Sequence, residues 1–252
     1  MARRRFFVDA VHGETAELRG EDGRHLARVL RAEAGQLYEI SDNRSAYLAR
    51  VEEARGDRVV FRLVEPLEST PPPVRITLCA ALIKFDRFEW IVEKATELGV
   101  ERILPVETAR SEKGLFEAAA KRRERWLRIA RESSQQARRT WLPEVLPAVP
   151  FEAGLKTEAG YRCFLEESVA PPILETLPQP RAATDRVALL IGPEGGWTDS
   201  ERYLASSAGW RAASLGPGVL RAETAAVAAL GIVVACWLER GRAQIPPITM
   251  EL

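Results

Sequence analysis

Three consecutive prolines, Pro71-Pro72-Pro73, divide this chain of 252 residues into two stretches with different hydrophobic periods. Proline gives a sheet ladder no backbone N–H and holds the chain extended, so the run reads as a stiff segment between two folding units. Ahead of it, Arg5-Phe6-Phe7-Val8 and residues 36–40, 46–51 and 58–63 are rich in β-branched and aromatic side chains. Asp42-Asn43 and Arg55-Gly56-Asp57 supply the turns. One short helix is predicted around residues 25–31. Strands of this length and spacing predict a small β-barrel over residues 1–70.

Behind the prolines the pattern becomes strand–helix alternation. Residues 74–82 read as a single, largely apolar strand. Phe85, Phe88, Ile91 or Val92, Ala95 and Leu98 then recur at helical spacing, and Gly99 stands where a C-terminal cap belongs. With the next strand at 102–106 this is a βαβ rhythm, which implies a parallel sheet covered by helices. An arginine-rich helical stretch follows at about 115–138, then a weaker strand at 161–165. The last third predicts a buried strand at 187–191, the turn Gly192-Pro193-Glu194-Gly195-Gly196, and a capping box from Thr198 to Glu201. Gly209 closes that helix. A strand at 212–215 and Gly216-Pro217-Gly218 lead to a helix from Glu223 that is apolar nearly all round, hence buried on most sides. Its apolar run, 225–238, falls short of the roughly 20 residues a membrane span requires, so no membrane association is expected.

Lysine plus arginine and aspartate plus glutamate both number 36, so net charge carries no nucleic-acid signal. The cations are nearly all arginine, whose planar fork suits phosphate. Cys79, Cys163 and Cys236 are odd in number and far apart, and the histidines are only His12 and His25. A disulfide framework, a zinc site and a histidine-based metal centre are therefore not expected, and a cytoplasmic setting is. The arginines at the start are followed by no long apolar stretch, which argues against a signal peptide.

The two Gly-Pro turns are each predicted to leave the C-terminal end of a short strand, the two strands being neighbours. Crevices at such ends are where open α/β sheets bind ligands, and glycine lets backbone groups approach a ligand closely. One such turn is merely tight; two together, each opening a helix, point to a ligand site. Neither G-x-x-x-x-G-K-[ST] nor G-x-G-x-x-G is present, which excludes the usual nucleotide and dinucleotide cradles. No Ser-His or Cys-His pairing suggests itself. An adenosine ligand read mainly by backbone groups stays open.

Leu190-Ile191-Gly192-Pro193-Glu194-Gly195-Gly196, followed by Leu215-Gly216-Pro217-Gly218-Val219-Leu220-Arg221-Ala222-Glu223-Thr224-Ala225, resembles the paired signature of the SPOUT methyltransferases. Within them it is most similar to the RsmE family, the 16S ribosomal RNA uridine N3-methyltransferases. The likeness extends to Arg5-Phe6-Phe7-Val8, to residues 25–31 and 89–100, to Gln136, Arg139 and Pro143, and to Leu165-Glu166-Glu167-Ser168. The chain departs from the family pattern at Gly218, where a basic residue is frequent, at Ala222, where Thr is common, and at Phe85, where Gly is.

The resemblance implies an α/β protein: an N-terminal PUA-like β-barrel that binds RNA, over 1–70, followed by a trefoil-knotted SPOUT methyltransferase domain, over 74–252. It implies S-adenosylmethionine as cofactor, held by Leu165, Glu166, Glu167, Ile191, Gly192, Pro193, Glu194, Gly195, Gly196, Leu215, Gly216, Leu220, Arg221, Thr224 and Ala225. The implied substrate is 16S ribosomal RNA, within the assembled small subunit. Arg221 is expected to stabilise the anion forming on uracil, with Glu223 or Glu194 orienting it or taking the proton. Arg5, Arg24, Arg28, Arg31, Lys84, Lys94, Arg110, Gln136 and Arg139 are the expected RNA contacts. A homodimer is implied, with Val227, Leu230 and Val234 as candidate interface residues and an intramolecular core as their other reading. The rival functions are a SPOUT ribose 2′-O-methyltransferase and a non-catalytic RNA-binding assembly factor.

Overall fold

The computed structural model describes residues 5–238; residues 239–252 of the expected second domain lie outside them. Two compact units form, one from 5–71 with 127–143, the other from 72–126 with 144–238.

The first unit is a curled six-stranded sheet. Its elements are β1 (Arg5–Phe7), β2 (Ala10–His12), β3 (Thr15–Leu18), α1 (Gly20–Arg24), β4 (Leu37–Ser41), β5 (Ala46–Arg55) and β6 (Arg58–Leu67). The strand order is β1-β4-β5-β6-β3-β2, antiparallel except where β1 runs parallel to β4. Side chains alternate across the strands, so Phe6, Leu18, Ile40, Val51, Val59 and Phe61 converge on one core. Leu26 joins them from a single π-helical turn, His25–Val29, that follows α1. Residues 127–143 close this unit with polar bonds. Ser41 Oγ donates to the Thr140 carbonyl at 2.7 Å, and the Leu142 amide donates to Asn43 Oδ1 at 2.7 Å.

The second unit holds β7 (Arg75–Ala81), α2 (Phe85–Glu97), β8 (Arg102–Glu107), the first part of α3 (Leu115–Gln136), β9 (Glu144–Val145), β10 (Val149–Pro150), α4 (Phe151–Gly154), β11 (Tyr161–Leu165), α5 (Ile173–Thr176), β12 (Arg186–Ile191), α6 (Asp199–Ser207), β13 (Arg211–Ala213) and α7 (Ala222–Leu238). Its sheet is parallel throughout, in the order β10-β8-β7-β12-β11-β13, with β9 also on β8. The apolar run of β12 is buried from Val187 to Ile191, as a strand covered on both faces must be. β12 and β13 are not neighbours as their sequence suggested; β11 lies between them and pairs with both. The C-terminal ends of all three strands therefore stand side by side.

The capping box forms as read: Thr198 Oγ1 accepts from the Glu201 amide, and Glu201 Oε2 accepts from the Thr198 amide. Helix α7 packs on α2 and β12. Leu230 is fully buried there, so the covering of its side chain is intramolecular and it offers nothing to a second subunit. Val227 and Val234 are half-buried. Among the described residues no helix is long and apolar enough to cross a membrane.

Candidate functional site

The ends of the three neighbouring strands frame an open cleft. That position, at the carboxyl ends of neighbouring strands, suits a small-molecule site in an open parallel sheet. Leu165, Glu166 and Glu167 line it after β11. Ile191, Gly192, Pro193, Gly196 and Trp197 do so after β12, and Leu215, Gly216, Gly218 and Leu220 after β13. Ala222 and Ala225, in the first turn of α7, complete it.

Two of the glycines are required by their surroundings. A Cβ on Gly192 would come within 3.0 Å of Cε2 of the Trp197 indole. Gly196 has φ +69°, in the left-handed region, and a Cβ there would overlap the Glu167 carboxylate. Trp197 is buried against Phe151 and Phe164, and its Nε1 donates to the Leu165 carbonyl at 2.7 Å. One side chain thus braces two loops of the cleft. Sequence reasoning ended the turn at Gly196 and missed it; a tryptophan directly after Gly-Gly was the available signal.

Glu166 lines the cleft, yet its oxygens are engaged. Oε1 accepts from the Glu167 amide at 3.0 Å and the Ser168 amide at 3.2 Å, and Oε2 accepts from Arg202 Nε at 2.6 Å. Burial pushes its carboxyl up, but the Arg202 guanidinium and the Ser168 amide together hold it below the ordinary range. This residue organises its own loop.

The family described as RNA methyltransferase domain matches residues 70–234. A ribosomal RNA small subunit methyltransferase E from Mycobacterium bovis is 32% identical over 244 residues, covering 90% of this chain and 90% of that protein. This chain belongs to the ribosomal RNA small subunit methyltransferase E family. Its relative of the same name from Bacillus subtilis is 28% identical over 247 residues, covering 91% of this chain and 95% of the relative. A solved structure of the methyltransferase E from Neisseria gonorrhoeae, bound to S-adenosyl methionine, superimposes with a TM-score of 0.84 at 28% identity. It covers 93% of this chain and 98% of that one.

Of the cofactor residues that the methyltransferase E resemblance implied, Leu165, Glu166, Glu167, Ile191, Gly192, Pro193, Gly196, Leu215, Gly216, Leu220 and Ala225 line one cleft. Gly218 and Ala222, two of the positions that depart from the family pattern, line it too. Glu194, Gly195, Arg221 and Thr224 are not in its wall. Glu194 is ion-paired with Arg87 of α2, and the Gly195 carbonyl accepts from Arg110. Glu194 therefore does not orient Arg221, contrary to one of the two expected arrangements. Arg221 is exposed. Glu223 is half-buried, and its Oε2 is buried with no hydrogen-bond partner among the described residues.

The expected RNA contacts separate by exposure. Arg24, Arg28 and Arg31 are exposed on the first unit, as are Lys84 and Arg110 on the second. Gln136 is exposed, and Arg139 is half-buried, its guanidinium lowered by burial to about 10. Lys94 is engaged by Glu93 at 2.7 Å and Glu97 at 3.0 Å. Arg5 is only 6% exposed, and its guanidinium bonds Glu39 at 3.0 Å, Thr140 Oγ1 at 3.0 Å and the Arg138 carbonyl at 2.7 Å. With its donors committed inside the fold, Arg5 is a core cation and not an RNA contact. Among the described residues no cluster of His, Cys, Asp or Glu could hold a metal ion.

Proposed function

We propose that this protein transfers a methyl group from S-adenosylmethionine to N3 of a uridine in small-subunit ribosomal RNA. The observation that carries the reading is the cleft at the ends of β11, β12 and β13, whose lining and close-packed glycines coincide with the residues the family resemblance implied. The residues present fit such a cofactor. Leu165, Ile191, Leu220 and Ala225 offer apolar walls for an adenine ring, while the glycine turns bring backbone donors and acceptors within reach of polar groups.

When bound, the cofactor supplies an electrophilic methyl group on a sulfonium sulfur. The protein's part is alignment and charge. Holding donor and acceptor in line supplies much of the rate without a strong acid or base. As the N3 proton leaves uracil, negative charge spreads onto the ring; Arg221, exposed at the mouth of the turn, is the cation to stabilise it. The proton goes to a carboxylate, and Glu223, half-buried two residues after Arg221, is the candidate. Arg24, Arg28, Arg31, Lys84, Gln136 and Arg139 are the remaining candidates to steer RNA through its phosphates. A PUA-like barrel, a trefoil knot, a homodimer in the cytoplasm and the assembled small subunit as substrate belong to the same reading.

Calorimetry with S-adenosylmethionine and single-turnover methylation test it. One binding site per chain is expected without RNA. Arg221→Ala should keep cofactor affinity while losing about 10²-fold in rate. Absence of binding heat removes the cofactor reading; an unchanged rate removes Arg221 from the chemistry.

A further inference from the structure

We infer that Arg110 is a positioning residue for the Gly195–Gly196 peptide at the cofactor cleft, an inference that rests on the cofactor reading above. Sequence alone placed Arg110 among the RNA contacts; its bonds point elsewhere. Its Nη1 donates to the Gly195 carbonyl, and its aliphatic stem lies against Gly195, whose Cβ, were there one, would sit 3.2 Å from Arg110 Cδ. The other end of the same peptide, the Gly196 amide, donates to the Pro193 carbonyl at 2.9 Å. Both polar ends of one peptide plane are thus held, the acceptor by Arg110 and the donor by the turn.

A Gly-Gly peptide is where such a hold matters. With no Cβ on either side, both flanking residues reach left- and right-handed conformations at little cost, so rotation of the whole peptide plane is the easiest distortion open to the turn. Gly196 already occupies the left-handed region beside Glu167. Rotation would carry it away from the conformation that shapes the cleft.

Arg110 is itself placed by the helix that follows the turn. Glu201, 5% exposed, accepts from the Ala109 amide at 2.8 Å through Oε1 while its Oε2 caps α6 at Thr198. The circuit runs from Ala109 to Glu201, back along the capping box to Thr198 and the turn, and through Gly195 to Arg110. Arg87 holds the preceding residue through Glu194.

The test uses the full chain, without RNA for the cofactor affinities and with it for the methylation rate and RNA binding. Calorimetry measures affinity for S-adenosylmethionine and S-adenosylhomocysteine in wild type, Arg110→Ala and Arg110→Lys, with melting of each ligand-free protein. Loss of a charge-assisted bond from a preorganised site predicts roughly tenfold weaker binding of both ligands in Arg110→Ala. Arg110→Lys should recover to within about threefold, because an ammonium can still donate to the carbonyl. Melting temperatures should agree within about 2 °C. Single-turnover rate at saturating cofactor should fall by less than about threefold, so that KM for cofactor moves and kcat does not. Wild-type affinity in Arg110→Ala overturns the inference, as does weaker RNA binding at unchanged cofactor affinity. Weakened binding that Lys does not rescue and that tracks a lower melting temperature also overturns it, as a general loss of structure. If wild type itself binds neither ligand, the cofactor reading has failed, and that result is distinct from the others.

Discussion

Gly196 shows how much of a site can depend on one residue lacking a side chain. Its left-handed φ of +69° strains any residue with a Cβ, and the exposed Glu167 carboxylate would have to swing aside to admit one. Gly196→Ala is expected to lose at least about tenfold in cofactor affinity, since an L-residue there is strained by about 1–2 kcal/mol before any clash is counted. Calorimetry on the purified variant checks this, and wild-type affinity would show the turn to be more tolerant than its geometry implies. Arg5 makes the opposite point. Near the start of a chain, among other arginines, it reads as a surface cation; in the fold it neutralises buried Glu39. Arg5→Ala should lose about 3 kcal/mol of stability in urea denaturation, because it strips a buried carboxylate of one partner. The partners of Arg5 lie 34 to 135 residues away, so no local pattern could announce them.

Helix α6 and the loop after β11 illustrate what was legible among elements. The capping box spans four residues and needs no knowledge of the fold, so Thr198 and Glu201 could be read directly. The second bond of Glu201, to the Ala109 amide, spans 92 residues and could not. Strand existence followed from apolar runs, and β11 and β12 fall close to their predicted bounds. Strand order did not follow, because pairing is decided by the packing of helices between strands distant in sequence, and β11 came to separate β12 from β13. The short strands β2 and β3 escaped notice because three- or four-residue segments with polar alternates carry little periodicity.

Across that loop, Arg202 of α6 holds Glu166 ionised. The folded value lies below the ordinary one, so its stabilising contribution is complete above the unfolded value and is lost as pH falls through the folded value. The stability gap between wild type and Glu166→Gln should therefore be largest near neutral pH and shrink through the acid range. A gap independent of pH would contradict the ion-pair account.

At the scale of the whole molecule, chemistry is confined to few places. All three cysteines are buried, and burial pushes the Cys79 thiol up to about 12, so none is a ready nucleophile. A thiol reagent at pH 8 should leave the native protein unlabelled for as long as it stays folded and label three sites in denaturant. Rapid native labelling would show that one of these cores opens. The functional class became readable only because two glycine turns and motifs in both stretches occur in the order one family uses. Composition and periodicity supplied a ligand cleft without naming its ligand. The central claim is the reaction itself, and it is tested by incubating the protein with labelled S-adenosylmethionine and small ribosomal subunits that lack the modification, then resolving the nucleosides by mass spectrometry. The account predicts label in N3-methyluridine; label in a 2′-O-methylated nucleoside, or none, would contradict it.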